Sequence, residues 1–430
     1  MSRHVFTRSP GLPRVAGGTG AEVFDVDGRR YLDGSGGAVV TSVGHGVTEV
    51  VHAIAEQSRR IAYAHGTAFA SKALDDYADA LAPLLPFDDP RIYPVSGGSE
   101  AVETALKMAR AYHLARGEDR HVIIGRRGAY HGNSRGALDV SGRPGLRAPY
   151  QPWLGSAWHA PAPYEYRCPA PDHPNACGAW HADKLDRLIT EDVAAFIAEP
   201  VAGAALGACV PPDDYWSAVA EVCRRRGVLL IVDEVMTGFG RTGRWFACEH
   251  WGIRPDILVT AKGAASGYWP LGLAVCTAEV RDTIGSFVHG FTYSHHPVGA
   301  AAGHAVLKVL RDRHLVAAAE QRGRELSKAL HDRLADHPAV GDIRGLGLLQ
   351  AVELVADRGS RKSFDRTARI AERVVAQAKE DGLLVYHSTG CADGRDGDLL
   401  LFGPPLVITE AQVAELADKA AAAIRRTCGH

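Results

Sequence analysis

Through the middle of the chain, short uninterrupted apolar runs alternate with stretches in which apolar residues recur at spacings of three and four. The runs His121–Ile124, Val193–Ala198, Val228–Val232, Ile257–Val259 and Leu273–Cys276 predict buried strands, with Arg91–Val95 as a shorter candidate. Between or beside them, Glu100–Leu114, Asp213–Arg226 and Ala300–Arg311 predict helices. The stretch Asp213–Arg226 opens with acids and closes on Arg224, Arg225 and Arg226 before Gly227. That order complements the helix dipole and supplies a left-handed stop, so the triple arginine needs no nucleic-acid partner. Strands alternating with helices imply βαβ units: an α/β fold with a mostly parallel sheet covered by helices on both faces.

The ends of the chain read differently. Ala21–Asp33 alternates apolar and polar residues around Asp27-Gly28, which predicts a hairpin. Near the C-terminus, Thr409 and Gln412 form a capping-box pair ahead of Val413, Leu416, Ala420 and Ile424 on one helical face. The expected division is an N-terminal segment (1–60) packing on the last unit, a large α/β domain (61–320) and a smaller α+β domain (321–430).

Composition narrows the class. The chain has 430 residues, 46% hydrophobic and 23% charged, with a formal charge of −2. Without a basic excess, neither nucleic acid nor an anionic membrane is an expected partner. The longest apolar run, Val193–Ala198, falls far short of the roughly 20 residues that span a bilayer. The opening MSRHVFTRSP has no hydrophobic stretch behind its basic residues, so no secretory signal is expected. Eight cysteines are too sparse for a disulfide scaffold, and a reducing cytoplasm is the expected location.

Four motifs carry candidate chemistry. Gly238-Phe-Gly240-Arg-Thr-Gly243 fits the dinucleotide pattern, yet bulky Arg244, Trp245 and Phe246 follow where a tightly packed helix should open, so the match is a decoy. Ser96-Gly-Gly-Ser-Glu100 lies between a short run and a helix, where unpaired N–H groups attract an anion. Alone it reads equally as a cap, with Ser99 at the N-cap position. Asp233 and Glu234 end an apolar run, where open α/β sheets bind ligands. Lys262 follows another such run and precedes Gly263; a partly desolvated amine there is a candidate nucleophile toward an aldehyde.

Together these answer the needs of one cofactor. Pyridoxal 5′-phosphate requires a lysine for its aldehyde, an anion site for its phosphate and a carboxylate for its ring nitrogen. The carboxylate favours the protonated ring, which draws electrons from a carbanion beside the imine. An aromatic such as Tyr130 is placed to stack on the ring.

Over nearly its whole length the sequence resembles the class III (subgroup II) aminotransferases among the fold-type I pyridoxal-phosphate enzymes. The motifs run from Asp27-Gly-Arg-Arg-Tyr-Leu-Asp33 and Gly44-His-Gly46 through SGGSEAVETALKMAR (96–110), Tyr130-His-Gly132 and Glu199-Pro200. They continue with DEVMTGFGRTG (233–243), PDILVTAKG (255–263), HGFTYSHHP (289–297), Arg344-Gly-Leu-Gly347 and Pro404-Pro-Leu406. The resemblance implies Lys262 as Schiff-base lysine and proton shuttle, Asp233 paired with the ring nitrogen, and Val235 and Tyr130 on the two ring faces. It further implies Glu199 beside the cofactor, and Gly98 and Ser99 holding the phosphate. Thr292 would join them from the neighbouring subunit of a homodimer.

Departures from the family pattern bear on the substrate. The 2-oxoglutarate-using relatives carry a glutamate shortly after the E-P pair, where EPVAGAALG (199–207) places Ala202 and Ala204. The segment is more similar to ω-amine:pyruvate and β-alanine:pyruvate enzymes, so pyruvate is the expected acceptor and an amine or ω-amino acid the expected donor. Met236 stands where glutamine is often found. Arg395 is the counterpart considered for a carboxylate-binding arginine, and Tyr31, Val39, Trp153 and Phe402 are candidate pocket-wall residues. The same cofactor motifs also serve epimerases and an aminomutase, and a cofactor-binding protein without turnover is the rival outside catalysis. Cys168, Cys177, His173 and His181 occupy a Pro-rich stretch without the spacing of a tight metal pair, so no metal site is expected. For His131 and His296 a structural hydrogen bond is expected rather than acid–base work.

Overall fold

In the computed structural model, which describes residues 4–6, 11–155, 157–168 and 177–429, the alternating segment near the N-terminus forms an antiparallel ladder. Strands β1 (Val15–Thr19), β2 (Glu22–Asp25) and β3 (Arg30–Asp33) lie side by side, with Glu22 opposite Leu32. The free edge of β3 pairs in parallel with Leu383–Leu384, so the C-terminal part of the chain completes this sheet.

The apolar runs become a seven-stranded sheet: β4 (Pro90–Val95), β5 (Val122–Arg126), β6 (Trp158–Ala160), β7 (Val193–Ala198), β8 (Leu229–Asp233), β9 (Ile257–Thr260) and β10 (Gly272–Thr277). Their spatial order is β4-β10-β9-β8-β7-β5-β6, and β10 alone runs antiparallel to its neighbours. All six residues of β7 are buried, because helices cover both faces. Ala195, Ile197, Leu229, Ile231 and Val259 pack under the helix Gly98–Ala115 through Ala101, Val102, Ala105 and Met108. Their alternates Phe196, Leu230, Val232 and Leu258 pack on the other face with Trp216, Val219 and Val306. The helix Tyr215–Arg226 stops at Gly227, which adopts φ 64° and ψ 33°.

A second antiparallel sheet contains β11 (Val340–Leu346), β12 (Leu349–Leu354), β14 (Tyr386–Thr389) and β15 (Asp398–Phe402), in the order β11-β12-β15-β14; β13 is the Leu383–Leu384 strand already described. The final helix, Glu410–Cys428, begins at the capping box, where Thr409 Oγ1 accepts from Gln412 N and Gln412 Oε1 accepts from Thr409 N. The architecture is the expected α/β one, with a smaller α+β unit.

The dinucleotide-like loop turns out to be a strut. The buried guanidinium of Arg241 donates to the carbonyls of Leu348 (3.1 Å) and Pro404 (2.6 Å), which ties the large sheet's loop to the C-terminal unit. No described helix is long and apolar enough to cross a membrane.

Candidate active site

The parallel strands deliver their next residues to one place. Ser96–Ser99 follow β4, Tyr130–Gly132 follow β5, Glu199 follows β7, Asp233 ends β8 with Val235 two positions on, and Lys262 follows β9. These residues line a single cavity of about 380 Å³, joined by Val40, Met236 and Trp269. That is the carboxyl edge of the sheet, where such folds bind ligands.

Strand periodicity separates the two neighbouring acids. Asp233 continues the side of Leu229 and Ile231 and enters the cavity, whereas Glu234 points to the opposite side and is fully buried. Glu234 is consumed structurally: it accepts from Thr237 Oγ1 and from Cys248 N (2.7 Å), and burial pushes its carboxyl up to about 7. Asp233 Oδ1 accepts from Val235 N at 2.9 Å, and its Oδ2 lies 2.6 Å from His131 Nδ1. The imidazole is itself buried, so the pair is held in one geometry. Glu199 Oε1 accepts from Gly203 N at 3.2 Å, and burial raises its carboxyl.

Lys262 opens a short turn in which Ala265 and Ser266 donate to its carbonyl, and it sits at φ 36°. Burial lowers its amine from the ordinary lysine value to about 8, against the opposing pull of the Asp233 and Glu199 carboxylates.

At the other end, the helix Gly98–Ala115 has Gly97, not Ser99, as its N-cap; Ser99 stands in the first turn. Glu100 Oε2 accepts from Ser96 N (2.8 Å), and Glu103 Oε1 accepts from Gly136 N (2.7 Å), so the acids brace the loop from outside the cavity. The first-turn N–H groups have no intrahelical partner and carry the positive end of the dipole.

Pyridoxal phosphate fits this set of residues. A Cβ at Gly98 would stand 3.1 Å from Val235 Cγ1, so the glycine keeps open the space beside the helix start. A Cβ at Gly132 would stand 2.3 Å from Ser99 Oγ. The buried Glu199 Oε2 and His131 Nε2 find no protein hydrogen-bond partner among the described residues, which leaves polar capacity in the cavity wall. The donor set is therefore a lysine amine, a carboxylate and an anion cradle.

Several expected residues lie elsewhere. Phe402 is wholly buried in β15, and Tyr31 is buried with its hydroxyl on Asp25 Oδ2 (2.9 Å). Val39 packs against Val201 and Leu401, and it is Val40 that reaches the cavity. Trp153 is exposed beside Tyr150, and Arg395 is exposed next to Asp396. None of these five lines the cavity. Strand alternation and loop placement put them in the core or in solvent. Thr292 is exposed, outside the cavity of its own chain, and its carbonyl accepts from Tyr63 Oη (2.6 Å). Three of the four residues left ungrouped by spacing converge: Cys168, Cys177 and His181 place their ligand atoms within 4.8 Å of one another, while His173 lies outside the described residues. Trp269 lines the cavity with no mark in the sequence beyond the turn residues Gly267 and Pro270 that flank it before β10.

The class-III aminotransferase family model matches residues 10–424. The uncharacterised aminotransferase YodT of Bacillus subtilis is 37% identical over 417 residues, covering 95% of this chain and 94% of its own. A putrescine–pyruvate aminotransferase of Pseudomonas aeruginosa is 34% identical, covering 92% of this chain and 87% of its own. Among solved structures, an (S)-enantioselective ω-transaminase from Thermomicrobium roseum superposes with a TM-score of 0.91 at 37% identity, covering 99% of this chain and 96% of its own. The chain belongs to the class-III aminotransferases, fold-type I enzymes that depend on pyridoxal phosphate.

Proposed function

We propose that the enzyme moves an amino group from an amine or ω-amino acid to pyruvate in two alternating half-reactions, with Lys262 as the residue that holds the cofactor and shuttles the proton. The observation that carries this reading is the meeting of a low-basicity amine, the Asp233–His131 pair and the Gly98–Ser99 helix start in one cavity. Bound there, pyridoxal phosphate supplies an electron sink for negative charge on the carbon that bears the amine.

The chain's own groups do the rest. The helix start and Ser99 Oγ would hold the phosphate, with Thr292 of a second copy offered to it across a homodimer interface. Asp233 would keep the ring nitrogen protonated, and His131 fixes the Asp233 carboxylate. Val235 and Tyr130, which both line the cavity, would hold the ring between them. Lys262 Nζ would take the proton from the amine-bearing carbon and return it at the cofactor's carbonyl-derived carbon, two atoms away across the nitrogen. An amine lowered to about 8 performs both halves of that transfer near neutral pH.

Pyruvate as acceptor is supported by the cavity wall. Ala204 lines it at one of the two positions where an acidic gate would stand, while Ala202, the other, lies outside the lining. The named activity of the Pseudomonas aeruginosa relative points the same way.

The test is alanine formation from pyruvate by the holoenzyme over a panel of diamines, ω-amino acids and aryl-alkyl amines. Alanine from at least one of these donors is the expected result. No alanine from any donor, or racemisation of a single amino acid without a keto acid, overturns the proposal.

A further inference from the structure

The cluster Cys168–Cys177–His181 takes no part in the cavity described above. Cys177 and His181 stand one turn apart on the helix Cys177–Leu188, so they share a face. Both are buried. Cys168 closes the short turn Glu165–Arg167 and brings its Sγ to 3.9 Å from Cys177 Sγ. One ligand atom from each of the three residues lies within 4.8 Å of the others.

Both limbs are anchored before any ligand arrives. Arg167 Nε donates to the buried Glu353 carboxylate (2.6 Å), and Tyr164 Oη donates to the same group. On the other side, the Asp214 carboxylate accepts from Gly178 N (3.1 Å) and Ala179 N (2.8 Å), which pins the helix start. A Cβ at Gly178 would stand 2.3 Å from Tyr215 N, so the helix is pressed against its neighbour.

The separation discriminates between ligands. A disulfide requires the sulfurs at about 2.05 Å. A tetrahedral metal with bonds to sulfur of about 2.3 Å sets its two sulfurs about 3.8 Å apart. Two thiolates and an imidazole are the donors of zinc, whereas calcium and magnesium take oxygen. We propose that Cys168, Cys177 and His181 bind one zinc ion, which staples the turn after Arg167 to the helix Cys177–Leu188. As the ion enters, the two thiol protons leave to solvent, and no redox step is involved.

The holoenzyme, supplied with zinc chloride and then desalted, is expected to retain about one zinc per chain by elemental analysis. Zinc-edge X-ray absorption is expected to show sulfur neighbours at about 2.3 Å. Cys168→Ser with Cys177→Ser should lose the zinc, and a chelator should lower the melting temperature of the wild type but not of this variant. Absence of retained zinc, a zinc edge without sulfur neighbours, or a Cys168–Cys177 disulfide in protein purified with zinc present overturns the proposal. If the double variant fails to fold, the absorption spectrum of the wild type decides alone.

Discussion

His131 Nδ1 and Asp233 Oδ2 lie 2.6 Å apart with both side chains buried, although 102 positions separate them in the chain. The imidazole N–H thereby orients the carboxylate that the cofactor's ring nitrogen needs. Replacing His131 by Phe keeps the bulk and removes the donor. A hydrogen bond to a charged group contributes about 1.5–3 kcal/mol, so the cofactor dissociation constant is expected to rise about ten- to a hundredfold. His131→Asn, whose amide can reach the same oxygen, should recover part of that loss. Equilibrium titration of the apoprotein with cofactor measures both variants, and unchanged affinity in the Phe variant would refute the positioning role.

Lys262 carries a second expectation. Its amine titrates near 8, because burial disfavours the ammonium more than Asp233 and Glu199 favour it. Only the neutral amine attacks an aldehyde. Capture of cofactor by the apoprotein should therefore accelerate as pH rises through about 8 and level off above it. An ordinary lysine would keep the rate climbing to about 10.4. Stopped-flow absorbance across that pH range separates the two, and Lys262→Ala should abolish turnover while the phosphate cradle still retains cofactor.

The parts of this site that follow a strand were legible in the sequence, because an apolar run marks its own carboxyl end. Lys262, Asp233 and Ser96–Ser99 each stand just beyond such a run. Contacts between distant segments left no such mark. Nothing in the spacing of His131 reveals that its ring reaches Asp233, and nothing in Gly238–Gly243 announces that Arg241 spans to Leu348 and Pro404. Pocket walls were the least legible. Phe402 and Val39 are apolar and near family motifs, yet the pleat of β15 and the turn at Val39 send both into the core. Local periodicity fixes which face a residue takes; long-range packing decides what that face meets.

Gly203 and Met236 offer a test of how the cavity wall is packed. A Cβ at Gly203 would stand 2.1 Å from Met236 Sδ, well inside contact distance. Gly203→Ala should push the methionine, which lines the cavity, out of its present position. Donor KM is expected to rise several-fold with little change in melting temperature, since Met236 is flexible. Combining it with Met236→Ala removes the collision, so the double variant should have a lower KM than Gly203→Ala alone. Steady-state kinetics on the four proteins measures the coupling, and strict additivity would show that the two residues do not press on each other.

Glu234 gives a pH dependence of stability with a definite sign. Its carboxyl is raised to about 7 in the folded state by burial, despite the donors Thr237 and Cys248 N, against an ordinary value of 4.5. The folded protein thus holds this proton where the unfolded chain has released it. Below about 4.5 both states are protonated and the group is neutral to stability. As pH rises from there to about 7 the unfolded chain ionises first, and stability falls by about 3 kcal/mol before levelling off. Glu234→Gln removes the ionisation, so the difference between wild-type and variant unfolding free energies should change across that window and be flat above it. Denaturant unfolding at a series of pH values measures the difference directly. Parallel curves for the two proteins would mean that the carboxyl titrates at the same pH in the folded and unfolded states, which would refute the upward shift.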